Sequence, residues 1–514
     1  MSKNAEKNKR IAKNTLVLYV RMLFLMAISL YTSRVILEAL GVEDFGIYNV
    51  VGGFVALFGV LSRSMSSAAS RFFNYEMGRG DIYKLGRVFS STLLIHIFLA
   101  LIIAILAELF GIWFVGNKMV IAPDRICAAK WLLQFSILNF TIHLLTVPYH
   151  AAIIAHERMN VFAYIGIYEG IVKLLICYLI MISPIDRLVF YGILLVMVQS
   201  SVCLMNYFYC KRFFSECECH FVHDKEMLKE IFGFASWNMI GTSSVVLRNQ
   251  GGNVLINLFG GPVVNAARAI ANQVLHAVNS FVENFMVALR PQITKSYASG
   301  DWDYMTTLIE KGSRYSFYMI LLLCLPIFLN TDYLLHLWLK VVPDHTVLFV
   351  QLTLLFSMIE SISGTLITAQ LATGNIRNYQ LVVGSFQILN IPISYILLKM
   401  GGVPETILYV AIVISLCSLA ARLLMLRDLI KLKVKGFLKN VILNVLIVSA
   451  FASIIPFWLS KQLPHSLMSF IILTIISILS SIVIILYFGC KRTERLLIFS
   501  KMKKIVKNYT YRIL

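Results

Sequence analysis

The sequence is poor in charge and poorest in acid: 14% of its 514 residues are charged, and only 26 Asp and Glu face 46 Lys and Arg. A soluble domain carries about 25% charged and about 45–50% apolar residues. This chain is 59% hydrophobic with a mean hydropathy of +0.78. The shortage of charge excludes a soluble enzyme, a soluble nucleic-acid-binding domain and a disordered chain. Cysteine is sparse as well. Its nine thiols, many inside apolar runs such as those around Cys177, Cys324 and Cys417, do not form the framework of a small disulfide-bonded domain. The polar stretch Met1 to Asn14 passes into a hydrophobic run too long for a signal core, so no cleavable signal peptide is expected. No Gly-Lys-Ser/Thr phosphate loop is found, so neither ATP hydrolysis nor a cofactor is expected.

What the chain does have is apolar length. A membrane-spanning helix needs about 20 mostly apolar residues, and fourteen such runs fit between residues 14 and 489. The expected fold is all-α and polytopic, with short loops and no room for an extramembrane domain. Lys and Arg are about fivefold more frequent in alternate connecting segments (Lys3 to Lys13, Arg71 to Arg87, Lys211 to Lys229, Lys295 to Arg314, Arg427 to Lys439, Lys491 to Arg512) than in the opposite ones. This places both termini in the cytoplasm, and makes most of the net charge of +20 a topology signal. The tail 491–514 mixes Leu497, Ile498, Met502, Ile505 and Val506 with lysines. It reads either as a solvated basic tail or as an amphipathic helix on anionic lipid.

A repeat organises the spans. Arg79-Gly80-Asp81 and Ser299-Gly300-Asp301 lie 220 residues apart. Arg71 with Arg290, Arg158 with Arg377, and Gly41 with Gly260 each lie 219 apart. Six spans therefore repeat in parallel, giving an N-lobe (14–212), an inter-lobe loop (213–226) and a C-lobe (227–430). Two extra spans (431–490) follow, with a short tail (1–13) in front. Transporters often take this form, with the substrate site between the halves.

Ionisable residues deep in spans are costly and become functional candidates by default. Arg21 and Arg63 fall in the inner third of spans 1 and 2, and Arg34, Arg248 and Arg268 in the outer third of spans 1, 7 and 8. Arginine suits bidentate grip on phosphate oxygens, so these five are candidate headgroup contacts. Lys130, Arg290 and Arg422 lie close enough to an interface to snorkel. Glu169 and Lys173, four apart near the middle of span 5, can pair with each other. Glu283 aligns with Arg63 across the repeat. Glu360, in the middle of span 10, shows no partner in the sequence. These four are candidates for coupling to H+ or Na+. Cys210, Cys217, Cys219, His220 and His223 cluster after span 6, but Cys-x-Cys-His lacks the usual zinc spacing, so reduced thiols are expected and no metal is assigned.

Several segments resemble polysaccharide flippases of the multidrug/oligosaccharidyl-lipid/polysaccharide exporter superfamily. They are Ser33-Arg34-Val35, Leu40-Gly41-Val42-Glu43-Asp44-Phe45-Gly46-Ile47-Tyr48 followed by Arg63, Leu335-His336-Leu337-Trp338-Leu339, Ala372-Thr373-Gly374-Asn375 with Tyr379, and Asn390-Ile391-Pro392 with Gly401-Gly402. The resemblance implies a flippase in a bacterial inner membrane. It would carry an undecaprenyl-pyrophosphate-linked oligosaccharide, such as an O-antigen or capsule unit, alongside polysaccharide assembly enzymes and with no nucleic-acid partner. Arg34 carries over as a headgroup contact; Glu38, where related peptidoglycan-precursor flippases are basic, argues against that substrate. Alternating access is expected, with Gly52-Gly53, Gly59 and Gly251-Gly252 allowing close packing or bending. The alternatives are a multidrug and toxin extrusion-type cation-coupled antiporter and, more remotely, a membrane glycosyltransferase or polymerase.

Overall fold

The computed structural model describes residues 3–56, 58–117, 122–217, 224–339, 342–464, 466–490, 492 and 494–496. Cys219, His220, His223 and the tail beyond 496 lie outside them. Helix dominates, with no strand among the described residues. In chain order the helices are α1 (Lys3–Ala56), α2 (Gly59–Arg79), α3 (Ile82–Asn117), α4 (Ile126–Ala155), α5 (Met159–Met181), α6 (Arg187–Phe213), α7 (Lys225–Ala298) and α8 (Trp302–Leu329). They continue with α9 (Thr331–Trp338), α10 (Thr346–Ala372), α11 (Arg377–Lys399), α12 (Thr406–Ile430), α13 (Val434–Phe437), α14 (Asn444–Ser460) and α15 (Leu467–Ile484).

Eleven helices among the described residues are long and apolar enough to cross a membrane, and the bent pair 44–55 and 59–79 makes a twelfth if it is one span. The remaining two of the fourteen expected spans are the legs of α7. Residues such as Asn249, Gln250, Asn253, Arg268 and Gln273 leave them too polar to qualify by composition. The chain is thus an all-α polytopic membrane protein.

Glycine geometry sharpens the repeat. α1 is interrupted at Gly41 (φ 78°, ψ 170°) and α7 at Gly261 (φ 74°, ψ −176°), a left-handed conformation that side chains resist. The structural counterpart of Gly41 is therefore Gly261, not Gly260, and the offset becomes 220. The same offset holds at the next turn, where Gly80 and Gly300 are both left-handed. There Asp81 accepts from the Lys84 N–H at 3.0 Å and Asp301 from the Tyr304 N–H at 3.2 Å. Both are N-caps that satisfy an otherwise orphan helix donor.

The chain forms two compact units, one of residues 1–243, 287–305 and 371–381, the other of 244–286, 306–370 and 382–514. In the first, α4 packs against α1, α2, α3 and α6, and α1 packs along α5. The face of α3 that it buries runs Leu99, Ala100, Ile103, Ala107, Gly111, at helical spacing and mostly small, while Phe98, Leu101, Ile105 and Leu109 point outward as a lipid-facing surface would. The end of α7 also belongs to this unit. A Cβ on Gly78 would lie 2.8 Å from the Lys295 backbone and from Ala298, so α2 and α7 touch with nothing between them.

In the second unit α8 is a polar spine. Ser313 donates to the Ile362 carbonyl at 2.8 Å on α10. Arg314 donates to the Gly489 carbonyl at 2.9 Å, and Tyr318 bonds Asn444 and the same carbonyl. The chain after α13 and after α15 winds as π-helix, Leu438–Leu443 and Ile485–Gly489. Such widened turns leave backbone groups unpaired, and α8 supplies the partners at the second: this is how the last two spans are held.

Replacing Gly78 with Val should lower the melting temperature of the purified protein, on the scale of about 1–3 kcal/mol for overpacking. Gly116→Ala, where nothing lies within 4 Å, serves as the control. An unchanged melting curve for Gly78→Val would contradict the close approach of α2 and α7.

Candidate functional site

Polar side chains inside the helices gather in three places. The first is in the second unit. Arg248, on the first leg of α7, donates to Gln387 Oε1 on α11 at 2.5 Å and to its neighbour Asn249 Oδ1 at 3.2–3.3 Å, and lies 5.1 Å from the Phe356 ring on α10. Arg268, on the returning leg, is 8% exposed and donates through Nη2 to the Asn249 carbonyl at 3.3 Å. The reversal at Gly261 is what brings residues 20 apart to one asparagine, Arg248 to its side chain and Arg268 to its carbonyl. Gly252 makes the space: a Cβ there would sit 2.7 Å from Arg268 Nη2.

Arg268 Nε and Nη1 are buried without a hydrogen-bond acceptor. Glu360 is the nearby acid, but it is engaged elsewhere, accepting from Ser415 Oγ at 2.5 Å and standing 4.0 Å from Arg422 Nη1. Arg422 also donates to Ser363 at 2.9 Å and is 3% exposed. Arg422 does not snorkel, because its helix turns that face toward α10. With Glu360 shared by Arg422 and Ser415, two arginines remain with no carboxylate in contact among the described residues. Within a membrane span this is an arrangement that an anion completes.

The second cluster lies in the first unit. The Arg21 guanidinium sits 4.5 Å from the Phe162 ring, and Gly166 leaves it room, since a Cβ there would be 2.2 Å from Nε. Arg21 Nε is buried without an acceptor. Lys173 pairs with Glu169 at 2.5 Å, as their spacing implied. His150 packs edge-on against Phe162 at 5.4 Å, and His143 lies two turns earlier on α4. The two histidines, seven apart on one face of α4, are readable in the sequence as a pair.

The third is a latch at the turn end of the first unit. Glu157, left-handed at φ 58° between α4 and α5, accepts from Lys295 Nζ at 2.8 Å and Gln292 Nε2 at 2.7 Å. Lys295 also reaches the Ala155 carbonyl at 2.5 Å. Counting Lys295 as an orientation charge hid this role, and the same holds for Arg71 and Arg314, both almost fully buried. Outside the spans, burial would raise the Asp186 carboxyl, but Arg125 and the Val189 and Leu188 N–H groups hold it below its usual range.

The remaining candidates are not part of these clusters. Arg63 is exposed on α2 and Glu283 exposed on α7. Arg34 lies on α1, and its side chain is outside the described residues. No group of three metal-ligating residues occurs among the described residues.

No family model and no curated protein matches the chain. Solved structures do. A multidrug resistance MATE family transporter of the MOP superfamily in an outward-facing conformation has a TM-score of 0.71 at 11% identity, over 84% of this chain and 96% of that one. VcmN, a MATE transporter of Vibrio cholerae in its bent form, gives 0.71 at 14% identity over 84% and 98%. A MOP superfamily transporter from Pyrococcus furiosus, described by a reversed polarity of its binding pocket that suggests a different function, gives 0.68 at 11% over 83% and 96%. The chain has the MATE-like fold of MOP superfamily transporters.

Inorganic pyrophosphate should raise the melting temperature of the detergent-solubilised protein. Arg268→Gln should remove most of that shift, and Gly252→Ala should reduce it by displacing the guanidinium. An undiminished shift in Arg268→Gln would show that the anion binds elsewhere. At the latch, Glu157→Gln leaves Lys295 half-buried against a neutral amide. Amide exchange over 292–298 should then speed up by about tenfold or more, as expected for a broken charged hydrogen bond.

Proposed function

We propose that the chain is a transporter working by alternating access, and that it flips a polyprenyl-pyrophosphate-linked oligosaccharide from the cytoplasmic to the outer leaflet of a bacterial inner membrane. Arg248 and Arg268 carry this reading: two arginines within the membrane span share Asn249, and Arg268 keeps two buried donors without acceptors. A sugar-pyrophosphate headgroup cannot enter hydrocarbon without leaving its charges and hydroxyls unsatisfied. An arginine pair offers the diphosphate a forked set of donors, while the polyprenyl chain stays in lipid. Arg34, Arg63 and Arg21 serve the same headgroup along its route. The distribution of Lys and Arg supports a cytoplasmic position for both termini.

Energy comes from an ion gradient. Glu169, paired with Lys173 one turn along α5, is the favoured coupling carboxylate. Glu283, Lys173 and Glu360 are the further candidates, and Glu360's bonds to Ser415 and Arg422 favour a structural part for it.

A second reading is a cation-coupled multidrug antiporter, favoured by the multidrug transporters among the similar folds. In vesicles loaded with lipid-linked oligosaccharide, Arg34→Ala and Arg248→Ala should each slow flipping about tenfold or more, the scale of one charge-assisted contact. Full flipping by both variants would reject the headgroup model. Drug sensitivity of a deletion strain, with normal surface polysaccharide, would establish the second reading instead.

A further inference from the structure

A cavity of about 660 Å³ opens in the first unit, apart from all three clusters, where the end of α2, the start of α7 and the α10–α11 turn meet. Arg71 lines it from α2, Glu226, Lys229 and Glu230 from α7, and Arg377 from α11. The turn that lines it joins the ends of two apolar helices, Thr346–Ala372 and Arg377–Lys399, at the depth where a bilayer's headgroups begin. Trp237, also in the lining, carries Arg377 over its ring at 5.4 Å, a pairing suited to that boundary.

Arg71 is held for a purpose its own partners do not exhaust. Its side chain is 9% exposed and caged by Phe72 at 4.5 Å, Tyr75 at 4.7 Å and Phe234 at 5.6 Å. The left-handed turn at Gly374 leaves it room, as a Cβ there would lie 2.4 Å from Nη2. Nε is buried with no acceptor, and Glu230 stands 3.9 Å from Nη1, an ion-pair distance without a hydrogen bond. A fixed guanidinium with unmet donors beside a cavity suits a phosphate. The acids oppose a simple anion, however. Glu226 and Glu230, four apart on one face of α7, put negative charge in the same cavity.

We propose that this cavity binds an aminophosphate headgroup of the phosphoethanolamine type, borne by a lipid of the adjoining leaflet. The phosphate meets Arg71 and Arg377, and the ammonium meets Glu226 and Glu230. Exposed Ile240, one turn beyond Trp237 on α7, gives the acyl chains an apolar surface beside it. The site is independent of what the Arg248–Arg268 pair carries.

Native mass spectrometry of the full-length protein tests this, with titration by dioleoyl-phosphatidylethanolamine, dioleoyl-phosphatidylglycerol and soluble phosphoethanolamine. The ethanolamine lipid should bind about tenfold more tightly than the glycerol lipid, the scale of one charged hydrogen bond. Arg377→Ala should weaken both lipids, and its exposed position spares the fold if Arg71→Gln does not express. Glu226→Gln with Glu230→Gln should erase the preference without weakening the glycerol lipid. Binding of phosphoethanolamine as tight as that of the lipid would keep the aminophosphate chemistry but overturn the lipid source. Equal binding of the two lipids by the unaltered protein, or a preference that survives the double substitution, would overturn the site.

Discussion

The structure depends on one constraint: a charge removed from water must find an opposite charge, a set of hydrogen bonds or a ligand. Most of the buried ions meet it inside the protein. Arg422 has Glu360 and Ser363, Lys295 has Glu157, and Arg314 has Glu494 and a backbone carbonyl. Each of these pairs joins helices far apart in sequence, so satisfying charge and fixing tertiary contacts are the same event. Such pairs are weak net contributors to stability, because desolvation offsets the attraction. Their effect is on specificity, since any arrangement that separates the partners strands an ion in an apolar medium.

Arg248 and Arg268 stand out because the constraint is met only in part. Their shared partner, Asn249, is neutral, and the nearby acid is committed to other groups. The helix reversal at Gly261 and the absence of a side chain at Gly252 both serve to keep the pair together. Two special backbone positions thus hold two like charges side by side, which is the feature the proposed headgroup site rests on.

The sequence made the class of fold legible, because apolar length and cation distribution are one-dimensional properties. The six-span repeat was legible for the same reason, and the geometry moved one match by a single position, from Gly260 to Gly261, where two adjacent glycines look alike. What the sequence concealed was azimuth. Position along a span gives depth, not direction. Arg71, Lys295, Arg314 and Arg422, near the ends of their spans, looked like orientation charges or snorkelling side chains, yet each points inward. The legs of α7 were legible as spans 7 and 8 in spite of their polar residues, and what the sequence left open there was the sharp single-residue break between them at Gly261.

The π-helical turns Leu438–Leu443 and Ile485–Gly489 carry an evolutionary implication. A π-turn amounts to one residue more than the α-helix needs, and each residue advances a helix by about 100°. Deleting that residue would repair the backbone pairing, yet would rotate everything beyond it by about a quarter turn. Asn444 and the Gly489 carbonyl would then swing away from Tyr318, and side chains now turned to lipid would face inward. The local irregularity is therefore locked in by the azimuth it sets. A chain that gained the extra residue at Leu438–Leu443 could shed it only by repacking α14.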